Sequence, residues 1–454
     1  MFTVPAPIAR FHQRLTAPRL RHRVHPFFLA GVGAFAGLLA FNLRVPIGPY
    51  IQPAVLDGWL AIALLAGATR LVRNRGEAWL LMSCWYLGAA SSVPGIWTQF
   101  FGHSALESAA GFGVWWAFAT LLALPALISP RKYPGMGVVI AALCAAIPPL
   151  GLIGIGNPLV LAGALFPGFG WFGMPLLALI LGLSAYTASR KVPHWRLALT
   201  TSFALLMVGL ATIAIPAPQA PTMTWADETY LGNRAFHDVT LRYAQMAQVR
   251  HFTDQALRQG AKVIVLPEAT DPTWGKGEAW FWQRTADLAR HQHATVLLGI
   301  YTSSIAAPTR NDALLDLGTG KRYAADVTVP FGMWAPWRGE DFPLHLDHAT
   351  ERSLIPTPFG PAAHLICYEE LLPWPLEEQE LAGRPKLLVS AADQWFATGM
   401  LGRAQTRSVE LQARLWGLPL LRAVNHPDPF PLAQETVPNG TVSHTRNVSY
   451  LASR

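Results

Sequence analysis

Charge is what this sequence has least of. Of its 454 residues only 14% are Asp, Glu, Lys or Arg, against about a quarter in soluble domains. That excludes an ordinary water-soluble globule over the full length. A hydrophobic content of 52% and a mean hydropathy of +0.27 point instead to a membrane protein. Cysteine is scarce as well. Cys84, Cys144 and Cys367, two of them inside apolar runs, leave no disulfide framework and no Cys-x-x-Cys metal spacing. No metal site is expected, and no motif calls for a cofactor. Basic stripes interleaved with aromatic residues are also missing, so the net charge of +8 does not imply nucleic acid.

The shortage of charge is uneven. Up to about residue 217 charges come in short clusters between long apolar runs, and from about 224 onward they are spread as in a soluble domain. This is a two-part chain. The expected organisation is a basic N-terminus over 1–26, a transmembrane helical bundle over 27–217, an outer domain over 224–435 and an irregular tail over 436–454.

Seven apolar stretches stand out, near 27–43, 54–69, 78–98, 109–129, 136–155, 171–189 and 197–215. Most approach the ~20 residues a helix needs to cross about 30 Å of hydrocarbon. Helices are required there, because backbone facing lipid must bond within its own segment. Lys and Arg fall in alternate loops: the N-terminal "ARFHQRLTAPRLRHR", then Arg70, Arg73 and Arg75, then Arg131 and Lys132, then Arg190 and Lys191. The other loops hold Arg44 alone. The positive-inside rule puts the N-terminus in the cytoplasm, and an odd number of spans delivers the outer domain to the opposite side. The long basic stretch and the further spans argue against a cleaved signal peptide. "GNPLVLAGALFPGFGWFG" is apolar but broken by Gly and Pro, and reads equally as a re-entrant segment or a membrane-skimming loop. "PAPQAP" at 216–221 reads as a stiff linker.

Beyond it the pattern alternates between helices and short apolar strands, which argues for an α/β layered domain. "RYAQMAQVRHFTDQALRQG" is an amphipathic helix ended by Gly260. "AKVIVLPEA" is a buried strand whose far end presents Glu268. A helix near 278–292, the strand "ATVLLGIY", the hairpin "DALLDLGTGKRY", the strands "AAHLICYEE" and "PKLLVSAADQWF", the helix "AQTRSVELQARLWG" and the strand "LPLLRAVN" follow. Glu268 and Cys367 end strands and Asp393 lies just past one, the place where α/β active sites are built. Taken singly, each has a plainer reading: a solvated glutamate, or a cysteine that is core packing.

"VIVLPEAT", "VPFG", "LICYEELL", "ADQWF" and "ELQARLWGLPLLRAVN" follow one another in this order. In that order the chain resembles the nitrilase (carbon–nitrogen hydrolase) superfamily, and within it the membrane branch of apolipoprotein N-acyltransferases. There a multi-span bundle precedes an outward-facing nitrilase domain, so the resemblance covers nearly the whole chain. "GALFPGFGWFG" and "VPFGMWAPW" look more like the conjugal-transfer proteins of the TraB type, an offshoot of that branch. The resemblance implies an αββα sandwich and a Glu–Lys–Cys triad. Glutamate is the general base, cysteine the nucleophile, and lysine stabilises the tetrahedral intermediate. The matching positions are Glu268 and Cys367. A thiol is only a few per cent ionised at neutral pH, so a neighbouring base must take its proton. In the acyltransferases an acyl group moves from a phospholipid to a protein's N-terminal amine.

Two residues depart from that pattern. Where the family lysine is expected, "RYAADVTVPFG" has Ala325, and where the acyltransferases carry a supporting glutamate after "PFG" this chain has Met333. Losing a donor aimed at an oxyanion costs about 10²–10³ in rate. Lys321 would substitute only if the hairpin shifted by about one turn. Tyr368 and Glu369 continue the family wording and shape either the pocket or the loop; Asp393 and Trp395 read as structural support. The final span of the acyltransferases has no counterpart here, and the tail "NHPDPFPLAQETVPNGTVSHTRN" reads as irregular.

Three readings remain. One is an inner-membrane protein of the conjugal-transfer type with weakened, altered or lost chemistry, acting with conjugation-machinery proteins. Another is an active acyltransferase taking a phospholipid acyl donor and a protein amine acceptor. The third is a membrane-tethered amidase. All place Cys367 within reach of Glu268 in one pocket on the periplasmic face, close to membrane lipid.

Overall fold

The computed structural model describes residues 18–43, 53–188, 212, 215–230, 232, 239–303, 310–335, 340–341, 353–397 and 402–427. The first part is helical: α1 (Pro18–Phe41), α2 (Pro53–Leu71), α3 (Arg75–Ala89), α4 (Val93–Phe101), α5 (Ala105–Ala123), α6 (Met136–Cys144) and α7 (Gly173–Ala188). Side-chain caps start two of them. Asn74 accepts from the Glu77 N–H at 2.9 Å and Ser104 from the Glu107 N–H at 3.1 Å, satisfying amides that a helix start leaves open.

Several boundaries differ from the apolar runs, and proline is the reason. The expected span over 78–98 is two helices, with Pro94 seated in the first turn of α4, where its missing N–H costs nothing. The expected span over 136–155 is helical only to Cys144, ahead of Pro148 and Pro149. Among the described residues, two helical stretches are long and apolar enough to cross a membrane, Ala105–Ile128 and Gly170–Thr187. His25–Phe41 is apolar but shorter. In each of the two, only 28% is buried inside the protein, whereas a core helix of a soluble protein is mostly covered. Of the seven spans read from the sequence, two are thus matched among the described residues by helices of spanning length and hydropathy. The run 197–215 lies outside the described residues except for Thr212 and Ile215, as does the tail over 436–454.

From Thr224 the chain builds two large sheets and one short antiparallel pair, β8 (Trp334–Ala335) with β9 (Glu340–Asp341). β1 (Thr224–Ala226), β3 (Val263–Val265) and β5 (Thr295–Ser303) are parallel, and β6 (Arg310–Asp316) and β7 (Arg322–Ala324) continue that sheet antiparallel. β4 (Asp271–Trp274) pairs with β5. In the second sheet β10 (Ile355–Thr357), β11 (Gly360–Ile366), β12 (Leu387–Asp393), β13 (Leu420–Asn425) and β2 (Glu228–Thr229) lie in that order, parallel from β11 on.

Alternation along the strands assigns the layers. Val263, Val265, Leu297 and Leu314 of the first sheet pack against Ile366, Val389, Ala391 and Ala423 of the second. The intervening Ile264, Val296, Leu298 and Leu315 face α8 (Val239–Arg258) and α9 (Lys276–His291). On the other side Ala363, Leu365 and Leu388 face α10 (Trp374–Gly383) and α11 (Arg403–Trp416). The result is a four-layer αββα sandwich. β12 is buried at every residue, "LLVSAAD", because a central parallel strand is covered on both faces.

The two parts are joined through α11. Arg407 forms a buried ion pair with Asp57 of α2 and donates to the Leu39 and Ala40 carbonyls at the end of α1. Residues 157–166 are buried against α2, α7 and α11. At Gly163 the backbone lies so close to the Leu411 carbonyl that no Cβ would fit. The middle of the "GNPLVLAGALFPGFGWFG" segment is therefore a buried strut between the bundle and the outer domain.

Candidate active site

The carboxyl ends of β3, β11 and β12 come together at one end of the sandwich. Glu268 follows β3, Cys367 follows β11 and Asp393 closes β12. Each turn is tightly constrained. Cys367 has φ +47° and Ala269, next to Glu268, has φ +53°, a region non-glycine residues seldom occupy and one that clusters at functional sites. Gly299 of β5 lets the backbone of Pro267 and Glu268 approach where any Cβ would collide.

Glu268 is 3% exposed and Cys367 8%. The thiol donates to the Glu268 carboxylate. Two further donors converge on that carboxyl group, the Asp393 N–H at 2.8 Å and the Tyr301 hydroxyl at 3.2 Å, and the Asp312 side chain lies beside it. Burial raises the Glu268 pKa and these bonds oppose the rise. Burial, with the Glu268 charge second, pushes the Cys367 thiol well above its usual value. The resting thiol is therefore neutral and needs its base. Gln405 of α11 holds the other side, donating to the Cys367 carbonyl at 2.8 Å with its nitrogen 3.8 Å from Sγ.

Glu268, Tyr301, Cys367, Tyr368, Asp393, Trp395, Met333 and Gln405 line one cavity of about 590 Å³. The bundle supplies its other wall: Val93, Ile96, Trp97, Phe100 and Phe101 of α4, Val114 and Phe118 of α5, and Ile155. Trp395 packs on Phe100 with ring centroids 5.0 Å apart, and the Tyr368 hydroxyl donates to the Leu152 carbonyl at 2.9 Å. Tyr368 thus ties the thiol turn, and Trp395 the loop after β12, to the bundle.

Asp393 accepts from Asn425 Nδ2 at 2.8 Å, while burial and the Glu268 charge raise its pKa. Glu369 does not line the cavity. Its buried carboxylate accepts from the amides of Asp326 (2.8 Å) and Ile366 (3.0 Å), clamping the Ala325 segment to the nucleophile turn. Ala325 is buried between the sheets and donates from its amide to the Asp312 carbonyl at 2.8 Å. Lys321 is exposed, with its ammonium 5.0 Å from the Tyr323 ring centre, and does not enter the cavity. Among the described residues no lysine or arginine lines it. The nearby Arg422 is committed to Glu370 through two bonds of 2.6 and 2.8 Å.

Tyr301, Asp312 and Gln405 were not singled out from the sequence. Tyr301 carries a signal, standing at the end of the strand "ATVLLGIY". Asp312 and Gln405 carry none, since each reads as an ordinary polar residue of a hairpin or an amphipathic helix.

No family model matches the chain. Among curated proteins it is 28% identical over 319 residues to the conjugal transfer protein TraB of Agrobacterium fabrum, covering 65% of this chain and 70% of that one. A probable conjugal transfer protein TraB of Sinorhizobium fredii is 27% identical over 297 residues, covering 63% and 72%. The apolipoprotein N-acyltransferase of Synechocystis sp. is 28% identical over 177 residues, covering 35% of this chain and 32% of that one. Solved structures of a nitrilase-superfamily amidase from Nesterenkonia sp. AN1 match at 15% identity over 44% of this chain and 74% of theirs, with a TM-score of 0.29, a likeness too slight to carry an argument. The αββα layers stand on the strand pairing and packing above. By sequence, this chain is similar to nitrilase-superfamily proteins of the conjugal-transfer TraB type.

Proposed function

We propose that this chain is an inner-membrane conjugal-transfer protein whose periplasmic domain keeps the acyl-forming half of nitrilase chemistry, Cys367 with Glu268, and works without the lysine. One observation carries this: thiol and carboxyl share a cavity whose described lining holds no cation. Glu268 takes the thiol proton as Sγ attacks a carbonyl carbon. The tetrahedral adduct then collapses to a thioester, and the same proton passes to the departing amine or alkoxide. Without an ammonium facing the oxyanion, turnover is slow by about 10²–10³. The seven-span topology, the cytoplasmic N-terminus and conjugation-machinery partners belong to this reading, supported by the positive-inside pattern and the TraB relatives.

A specific observation also favours acyl transfer from a lipid. Eight of the residues lining the cavity are aromatic or aliphatic bundle residues, suited to an acyl chain beside the thiol. The amidase reading gains nothing from such a wall. To separate these, purified protein carrying Ser at positions 84 and 144 is treated with acrylamide and with a long-chain N-alkyl acrylamide, beside a Cys367→Ala version. Labelling of Cys367 with at least tenfold preference for the long chain supports an acyl-chain site. Preference for acrylamide itself supports the amidase. Equal labelling with and without Cys367 removes the nucleophile altogether.

A further inference from the structure

Asp312 lies on the same inter-sheet face as Leu314 and opposite Tyr301 in the β5–β6 register, with its side chain against Glu268. It is 4% exposed, and its Oδ1 has no hydrogen-bond partner. Two carboxyl groups in contact away from water cannot both ionise. A buried carboxylate oxygen with no donor is also costly. The buried carboxyl groups of Asp393, held by Asn425 Nδ2, and of Glu369, held by the Asp326 and Ile366 amides, add to the negative charge around them, so the arrangement is consistent only if the pair holds a proton.

The proton's place follows from the donors. Glu268 already accepts from the Asp393 amide at 2.8 Å, from the Tyr301 hydroxyl at 3.2 Å and from the Cys367 thiol. Those bonds favour its charged form. Asp312 has no such set, and its bare Oδ1 suits the carbonyl oxygen of a neutral acid. We infer that Asp312 is a protonated carboxylic acid donating to Glu268, a positioning residue that keeps the base ionised where the chain lacks the lysine. This rests on Glu268 being the base of the proposed function and adds a partner for it. The residue occupying the lysine position, Ala325, bonds through its amide to the backbone of this same Asp312. Burial, reinforced by the Glu268 charge, raises the Asp312 pKa well above the carboxylate range, in keeping with this assignment.

The proton that the pair already holds stays in place during the chemical step. The thiol proton moves to the Glu268 oxygen facing Sγ and later to the leaving group, while the Asp312 proton stays on Asp312 and holds the other side of Glu268. The pH limb that matters is therefore that of Glu268, and the donor from Asp312 keeps that limb low.

The test is the pH dependence of Cys367 alkylation by acrylamide in the full chain with Ser at 84 and 144. Asn is a permanent neutral donor, so the acid limb of Asp312→Asn should keep its midpoint within about 0.3 unit of the parent's, whatever its absolute rate. Asp312→Leu removes the donor and should move the acid limb up by about one unit, roughly tenfold slower on that limb. If Asp312→Asn shifts the profile down by a unit, Asp312 was a carboxylate and the inference fails; the same holds if Asp312→Leu matches the parent. Should the Leu variant not fold, the Asn variant alone decides. A second readout does not depend on a reactive thiol. The infrared difference between parent and Asp312→Asn at neutral pH should contain the carbonyl stretch of a protonated acid. Its absence overturns the inference even if Cys367 labels well. Its presence with an inert Cys367 overturns only the nucleophile.

Discussion

At the residue scale the site is a problem of protons. Cys367 sits in a left-handed turn at φ +47°, which aims Sγ out of the strand and toward the carboxyl group after β3. Burial and the adjacent negative charge make the thiol a poor acid, so nucleophilicity depends on one proton acceptor. Glu268→Gln keeps shape and removes the acceptor. It should slow acrylamide alkylation of Cys367 at neutral pH by about 10²–10⁴-fold. The loss should shrink as pH rises toward the thiol's own ionisation, because hydroxide then does what the carboxylate did. A pH-independent loss would mean that Glu268 shapes the pocket and takes no proton.

Among the elements, α11 has the most to hold. Its "AQTRSVELQARLWG" sequence turns Val409 and Ala413 to the sheet and Leu411 and Leu415 to the bundle. Gln405 reaches the thiol loop and Arg407 reaches Asp57. Burial disfavours the Arg407 charge and the Asp57 charge counteracts it, so the guanidinium depends on its partner for compensation. Breaking such a pair strands a charge and costs about 3–5 kcal/mol. Arg407→Leu and Asp57→Asn should each lower the melting temperature of the detergent-solubilised protein. The double substitution should lose less than the sum of the two, since no lone charge remains. Strict additivity would show that the two residues do not depend on each other.

On the scale of the whole molecule, bundle and sandwich share one cavity, so the orientation of the bundle in a membrane decides which compartment the thiol serves. The basic loops predict that a phosphatase reporter fused after residue 220 is active in the periplasm of a bacterial host, and that one fused after Lys132 is silent. The reverse pattern would put Cys367 in the cytoplasm and remove access to periplasmic acceptors. The helices themselves argue less strongly than the apolar runs did. Pro94 and the Pro148–Pro149 pair mark breaks in two of those runs, and hydropathy, which scores side chains alone, does not register proline's limits on the backbone.

Much of this protein was already decided along the chain. Short apolar runs mark the longer strands, the position of Glu268 and Cys367 at strand ends marks the candidate site, and the absence of lysine at 325 is visible without any coordinates. These are local properties, carried by side-chain polarity and by backbone preference. Only the tertiary structure brought Asp312 against Glu268, Gln405 against Cys367 and Asp57 against Arg407, or turned an apolar Gly-rich stretch into a buried strut. Those pairings join residues far apart in sequence, and their energy comes from leaving water together, which no single segment records by itself.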